Sequence, residues 1–472
     1  MNTDRLNRRD FLRAGAVISS FMIVPRHVLG RGYRAPSDMV ALGFIGCGRQ
    51  SGGLRNRFLD TQETRIVAAS DVYAVKQDTF VNAANKWYSE KLAQGSYNAA
   101  TGIRDFREML DRKDIDAVVI AAPDHWHAAM SVRAAESGKD IYCEKPLSLT
   151  VREGRAMVEA TRKYNRVFQT GSMQRSAPEF TKAVQLVRSG AIGTIRKVYV
   201  NVGGPPKAWD LPAETKPEGL DWDLWMGPNK IERPYNNELA PAMDATFWPK
   251  WRDYAEFGGG GMTDWGAHMF DIAQWGLNMD SGGPVELIYS EAGKGLVYKY
   301  ASGVEVVHRP VQGKQHCHFV GTDGEVFVAR GELRTTPESL KEKVFNPGDA
   351  GVYVSTNHYK DFLNAIRARK APICDVETGH RTASVCNIGN IAYGLQRSLK
   401  WDPVREKFEG DKKGEQTAGA GNAQGVESVT ARKAERYTEA GEGANLRRFF
   451  ISPNNPAEGT KLSTVFPNCV FL

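Results

Sequence analysis

The six cysteines of this 472-residue chain stand apart, with no C-x-x-C pair and none of the Cys/His spacings a zinc site uses. No metal site is therefore expected, and whether any disulfide forms stays open. There is no Lys/Arg block either: a net charge of +7 is spread along the chain. That removes the electrostatic footprint of a nucleic-acid binder and points to a small-molecule partner. No apolar run approaches the roughly 20 residues needed to cross a bilayer, and no internal repeat is present. The length exceeds what one hydrophobic core supports, so two domains are expected.

Residues 1–30 are a separate object. Arg8 and Arg9 precede Phe11 and Leu12, and a short apolar run follows from Ala14 to Val24. The pattern resembles the bacterial twin-arginine export signal, which implies a periplasmic or otherwise exported protein that meets membrane only through this segment. A retained anchor or a basic amphipathic helix is the alternative, and without an A-x-A site cleavage stays open.

From Met39 onward short apolar runs alternate with amphipathic stretches, the signature of a parallel sheet with crossover helices. Strands are expected at Val40–Ile45, Thr64–Ser70, Ile115–Ala122 and Ile141–Cys143, with helices from Gly53 to Leu59 and from His127 to Glu136. Thr150 with Glu153 reads as a capping box opening a helix toward Tyr164. This stretch, 39–165, is taken as a Rossmann domain. Beyond about 190 the period shifts toward two, with strands at 195–202, 285–289, 304–308, 317–320 and 326–329. An α+β sheet domain over 166–405 is expected, with helices at 358–367 and 379–399. The Gly/Ala/Glu/Lys-rich stretch from Asp411 cannot bury enough apolar surface to order itself, so 411–472 is expected to be a disordered tail.

Gly43, Gly46, Gly48 and Gly52 lie where the first strand meets the first helix. Glycines there permit a tight turn and let a pyrophosphate approach the free N–H groups at the helix start. The match to G-x-G-x-x-G is incomplete, since Ser51 holds the third place and Gly52 comes one residue late. Asp71 ends the second strand, where a carboxylate accepts from a ribose 2′-hydroxyl and repels a 2′-phosphate. NAD is thereby favoured over NADP. Arg49 borders the same turn.

Cys143-Glu144-Lys145-Pro146 follows a strand at the edge where a doubly wound sheet binds ligands. Lys145 can donate to a substrate oxygen, and Glu144 can orient or pair with it. Taken together, Gly46-Cys47-Gly48, Pro123-Asp124-His125, Glu144-Lys145-Pro146 and Asp264-x-x-x-His268 resemble the glucose-fructose oxidoreductase, inositol dehydrogenase and MocA family over residues 39–400. The resemblance implies a Rossmann domain followed by an open-faced, mainly antiparallel sheet with helices on one face. It also implies oxidation or reduction of sugars, inositols and polyols with NAD or NADP, and pairing of subunits into a homo-oligomer through the open sheet face. It places Gly46, Gly48, Arg49, Asp71, Pro123, His125, Glu144 and Lys145 at the cofactor, and Lys145, Asp264 and His268 at the reacting hydroxyl. For Asp124 and the two histidines after it, a helix cap with surface histidines is the competing reading.

Positions four apart share a helix face, so Asp264 and His268 can address one substrate, with His268 as general base because its ordinary pKa lies nearest neutrality. The run Gly258–Gly261 would let backbone approach the nicotinamide. Gln174 and Arg175 are hydroxyl or carboxylate contacts implied by related sequences. Five of ten tryptophans, Trp209, Trp222, Trp225, Trp248 and Trp251, crowd one Pro-rich segment. Trp209 and Trp251 are the candidates for stacking on a sugar ring, against the alternative that all five pack the loop. Three function classes remain: a sugar or cyclitol dehydrogenase, a redox-assisted glycosidase or lyase that retains its cofactor, and a non-catalytic sugar-binding protein on the same fold.

Overall fold

The computed structural model describes residues 38–419 except 92–96, 230, 291–294, 311–312 and 347. The export segment and residues 420–472 lie outside the described residues. Six strands form the first sheet: β1 Val40–Ile45, β2 Thr64–Ser70, β3 Thr101–Ile103, β4 Ala117–Ile120, β5 Asp140–Cys143 and β6 Phe168–Thr170. Every pairing is parallel, in the order β3-β2-β1-β4-β5-β6. The strand order reverses between β1 and β4, and the crevice beyond their carboxyl ends is where such sheets bind ligands. β1 and β4 are buried throughout because helices cover both faces of the sheet.

The boundary at 165 falls short. β6 pairs with β5 (Ile141 opposite Phe168), so the first sheet runs past it. Helix His358–Ala368 also returns to this half, where Tyr359 and Phe362 pack on Phe58 and Tyr142. Helix Ala74–Lys91 and strand β3 went unread because their apolar positions are sparse and partly exposed.

The second sheet contains β7 Ile195–Asn201, β8 Glu286–Tyr289, β9 Leu296–Lys299, β10 Glu305–His308, β11 His316–Gly321, β12 Glu325–Ala329, β13 Glu332–Thr336, β14 Leu399–Asp402 and β15 Lys407–Phe408. Its order is β13-β12-β11-β7-β10-β9-β8-β14-β15, antiparallel except between β7 and β10. Alternation assigns one face to the core: Val198, Val200, Cys317, Phe319, Val326 and Val328 meet helices Pro178–Arg188, Gly266–Gly276 and Val376–Leu395. Tyr199, His318 and Phe327 lie on the other face, half-exposed. Leu399 begins β14 rather than ending a helix, because Gln396 turns the chain left-handed at φ +51°.

Part of the expected disordered tail is helical. Lys412–Gly419 folds back with Ala418 in the core, and Glu415 accepts the Phe408 N–H. The capping box is present as read, with Thr150 accepting from Glu153 N at 3.2 Å and Glu153 accepting from Thr150 N at 3.0 Å. Thr150→Ala is expected to cost about 1 kcal/mol of stability, seen as a lower Tm with unchanged far-UV circular dichroism.

Candidate active site

The turn after β1 is the first component. Gly46 has φ +85°, and a side-chain carbon there would lie 2.7 Å from the Ala121 carbonyl oxygen at the end of β4, so only glycine brings the two strand ends this close. Helix Arg49–Asp60 begins at Gly48, which supplies no side-chain cap and faces open space. Its leading N–H groups are thus left to a ligand, as a pyrophosphate requires. Asp71 stands at the turn and accepts from Cys47 N at 2.7 Å and from Tyr73 N at 2.8 Å. These residues fit a nicotinamide dinucleotide.

The second component is the turn after β5. Glu144 is buried and accepts from Gln50 Nε2 at 3.0 Å, which ties this turn to the glycine turn; burial pushes its carboxyl up. It does not hold Lys145. Lys145 Nζ instead donates to the Asp264 carbonyl at 2.9 Å and to Asp264 Oδ1 at 2.7 Å. An ammonium has three N–H groups, so one remains.

Asp264 ends the short helix Gly260–Asp264, and His268 lies in helix Gly266–Gly276 across a break at Trp265. They are neighbours in one site rather than a bonded pair. Burial works against the Asp264 charge, yet Lys145 and Arg252, the latter at 3.7 Å, hold its carboxyl below the usual range. His268 is buried, and that burial, with Lys145 and Arg330 nearby, drives its pKa well below the ordinary value, so the ring is neutral. Arg330 Nη2 lies 3.0 Å from His268 Nε2. Arginine only donates, so Nε2 bears the lone pair and Nδ1 the proton; Nδ1 has no partner among the described residues.

Several candidates sit elsewhere than expected. Pro123 caps helix Asp124–Glu136, but neither following histidine is on the surface. His125 Nε2 faces the Trp225 carbonyl at 3.0 Å and its ring packs on Trp225 and Phe257. His127 lies between the carbonyls of Pro146 at 2.8 Å and Ala122 at 2.9 Å. Burial lowers its pKa to about 4, so the neutral ring donates to only one of them while bracing the lysine turn.

Arg175 is not free for a substrate: its guanidinium is buried and spent on Asp271 (2.8 Å) and Asp280 (2.7 Å). Gln174 does face the site, accepting from Arg330 Nε at 3.3 Å. Trp209 and Trp251 pack the long loop with Tyr254 and Phe257, as do Trp222 and Trp225, which stack at 4.5 Å. Trp248 alone of the five is well exposed, at 55%, between Arg49 and Arg252. The run Gly258–Gly261 serves packing, since side-chain carbons at Gly260 and Gly261 would meet the backbone of 203–206 at 2.6 Å. Arg252 and Arg330 were missed; Arg330 follows a strand and precedes Gly331, with no motif to mark it.

Two family profiles match. Residues 40–172 match "Oxidoreductase family, NAD-binding Rossmann fold", and residues 185–421 match "Oxidoreductase family, C-terminal alpha/beta domain". Levoglucosan dehydrogenase of Pseudarthrobacter phenanthrenivorans is 42% identical over 91 residues, 19% of this chain and 23% of that protein. Glycosyl hydrolase family 109 protein 1 of Shewanella sp. is 27% identical over 207 residues, 40% of this chain and 44% of that protein. The chain thus spans less than half the length of these two relatives. Among solved structures, aldose-aldose oxidoreductase from Caulobacter crescentus, complexed with glycerol, superposes with a TM-score of 0.53 at 19% identity, covering 77% of this chain and 99% of its own. WlbA dehydrogenase from Bordetella pertussis, in complex with NADH and UDP-GlcNAcA, gives 0.53 at 16%, covering 77% and 98%. At such identities the likeness concerns the fold.

Asp124, buried at the start of its helix, yields a pH prediction. Burial, aided by the Asp264 charge and opposed by Arg252, pushes its carboxyl up to about 8. The folded chain then keeps a proton that an unfolded aspartate, with a pKa of about 3.9, releases. Stability therefore falls as pH rises between those values. Asp124→Asn is expected to raise Tm by an amount that grows from about pH 4 to pH 8 and then levels; a gain independent of pH would contradict the raised pKa.

Proposed function

The chain belongs to the oxidoreductase family that joins a NAD-binding Rossmann fold to a C-terminal alpha/beta domain, and from that premise we propose that it oxidises a carbinol carbon of a sugar or polyol. The observation that carries this reading is the Lys145–Asp264 pair at 2.7 Å, set at the carboxyl end of β5 beside the glycine turn. Gly46, Gly48, Arg49 and Asp71 would hold the dinucleotide, NAD rather than NADP. When bound, the cofactor accepts the hydride at C4 of its nicotinamide.

The rest falls to the chain. Lys145 turns its third N–H to the substrate oxygen and stabilises it as the carbonyl forms. Asp264, kept ionised, anchors that ammonium by two acceptors. The hydroxyl proton passes to Nε2 of His268, which is neutral and carries the lone pair once Arg330 releases it. Trp265, half-buried next to His268, offers a ring face near the substrate. Export through the twin-arginine route and association through the half-exposed sheet face of Tyr199, His318 and Phe327 belong to the same proposal.

Lys145→Met is expected to lower kcat on the order of a hundredfold to ten-thousandfold while leaving NAD affinity within about twofold by fluorescence titration. Denaturing the purified protein is expected to release near-stoichiometric NAD. Binding only on addition would mark an ordinary dehydrogenase, and no binding at all would overturn the redox reading. Release of a glycosidic leaving group without net NADH would identify the glycosidase-like cycle instead. For export, the 1–30 segment fused to a reporter is expected to carry it out of the cytoplasm, and Arg8→Lys with Arg9→Lys to stop it.

A further inference from the structure

Arg330 is the unexplained charge in the site. It stands in the turn from β12 to β13, and its side chain reaches across to the catalytic group. Its partners are all neutral: the Gln174 oxygen at 3.3 Å, the His268 nitrogen at 3.0 Å and the Trp265 ring, whose centre lies 4.5 Å from the guanidinium carbon. Among the described residues no carboxylate lies within ion-pair distance of it, whereas Lys145 has Asp264 at 2.7 Å and Arg252 has it at 3.7 Å. Glu179, the nearby acid, spends an oxygen on the Gly331 N–H at 2.9 Å. Arg330 is also exposed to solvent, so a ligand can reach it.

A guanidinium set over an aromatic ring, one N–H directed at His268 and its only acceptors neutral, is arranged for a planar anion. We propose that the substrate is a sugar carrying a carboxylate and that Arg330 binds it. This rests on the oxidoreductase reading above and adds the substrate class. A single guanidinium sets two parallel N–H groups against the two oxygens of one carboxylate.

The same contact accounts for the His268 hydrogen bond. Arg330 donates to Nε2 and so covers the lone pair that must receive the hydroxyl proton. When the carboxylate takes the Arg330 N–H groups, that lone pair is freed, so the general base is uncovered only when an acidic substrate is seated. No other bond changes in this step.

The test is calorimetric titration of the full-length protein saturated with NADH, using glucuronate, galacturonate and gluconate against glucose and galactose, with glucose 6-phosphate as a further arm. The acids are expected to bind about tenfold more tightly than the matched neutral sugars. That advantage should shrink toward about 0.5 M salt, disappear in Arg330→Gln and be only partly kept in Arg330→Lys, which retains the charge without the planar fork. Equal affinity for acids and neutral sugars, no binding of either, an equal loss for both in Arg330→Gln, or tighter binding of the phosphate would each overturn the proposal. Arg330-dependent binding of acids with no NADH formed from NAD would leave it standing and refute the dehydrogenase reading. Turnover of neutral sugars without preference for acids would do the reverse.

Discussion

The two hydrogen bonds from Lys145 to Asp264 organise everything else in the site. The partners are 119 residues apart, one just past the end of a strand of the parallel sheet and the other at the end of the short helix Gly260–Asp264. An ammonium and a carboxylate half-withdrawn from water are costly apart, and their pairing offsets that cost only if both sheets hold their positions. The bracing is visible on each side. His127 pins the lysine turn to the end of β4, Glu144 ties it to the first helix through Gln50, and the glycines at 260 and 261 let the aspartate's helix press on the loop at 203–206.

Around that pair, burial sorts the charge states. Asp264 stays ionised because two cations outweigh its desolvation, while Asp124, more deeply buried, has its carboxyl pushed up to about 8. His268 stays neutral because burial and the surrounding cations oppose its charging. One lysine with a spare N–H, one ionised anchor and one neutral imidazole are the components that removal of a proton and a hydride from a carbinol demands.

The local devices were legible in the residues because each is settled by chain neighbours. β1 and β2 span the residues that their apolar runs predict as strands, and the Thr150 capping box is closed within four residues. The glycine turn was legible for the same reason: a positive φ at Gly46 is a backbone requirement. Weakly patterned pieces were not. Helix Ala74–Lys91 has only three buried side chains, and the helix at 412–419 lies in a stretch whose composition argues for disorder yet is held by Ala418 and Glu415.

The sequence by itself determined the fold class and the glycine turn and singled out Lys145, Asp264 and His268 as candidates, since spacing and residue type report directly on backbone geometry and proton affinity. Only the tertiary structure decided which of them work together. Arg175 was a sequence candidate for substrate contact, and Arg330 was not. One is buried between Asp271 and Asp280, and the other turns toward His268 with no acid beside it. Four tryptophans that suggested a sugar platform pack the loop instead, and Trp265, outside the cluster, lies beside His268 and under Arg330. The reason is physical: a side chain's charge and hydrogen-bond partners come from segments a hundred or more residues away, and no local pattern encodes which segment will arrive.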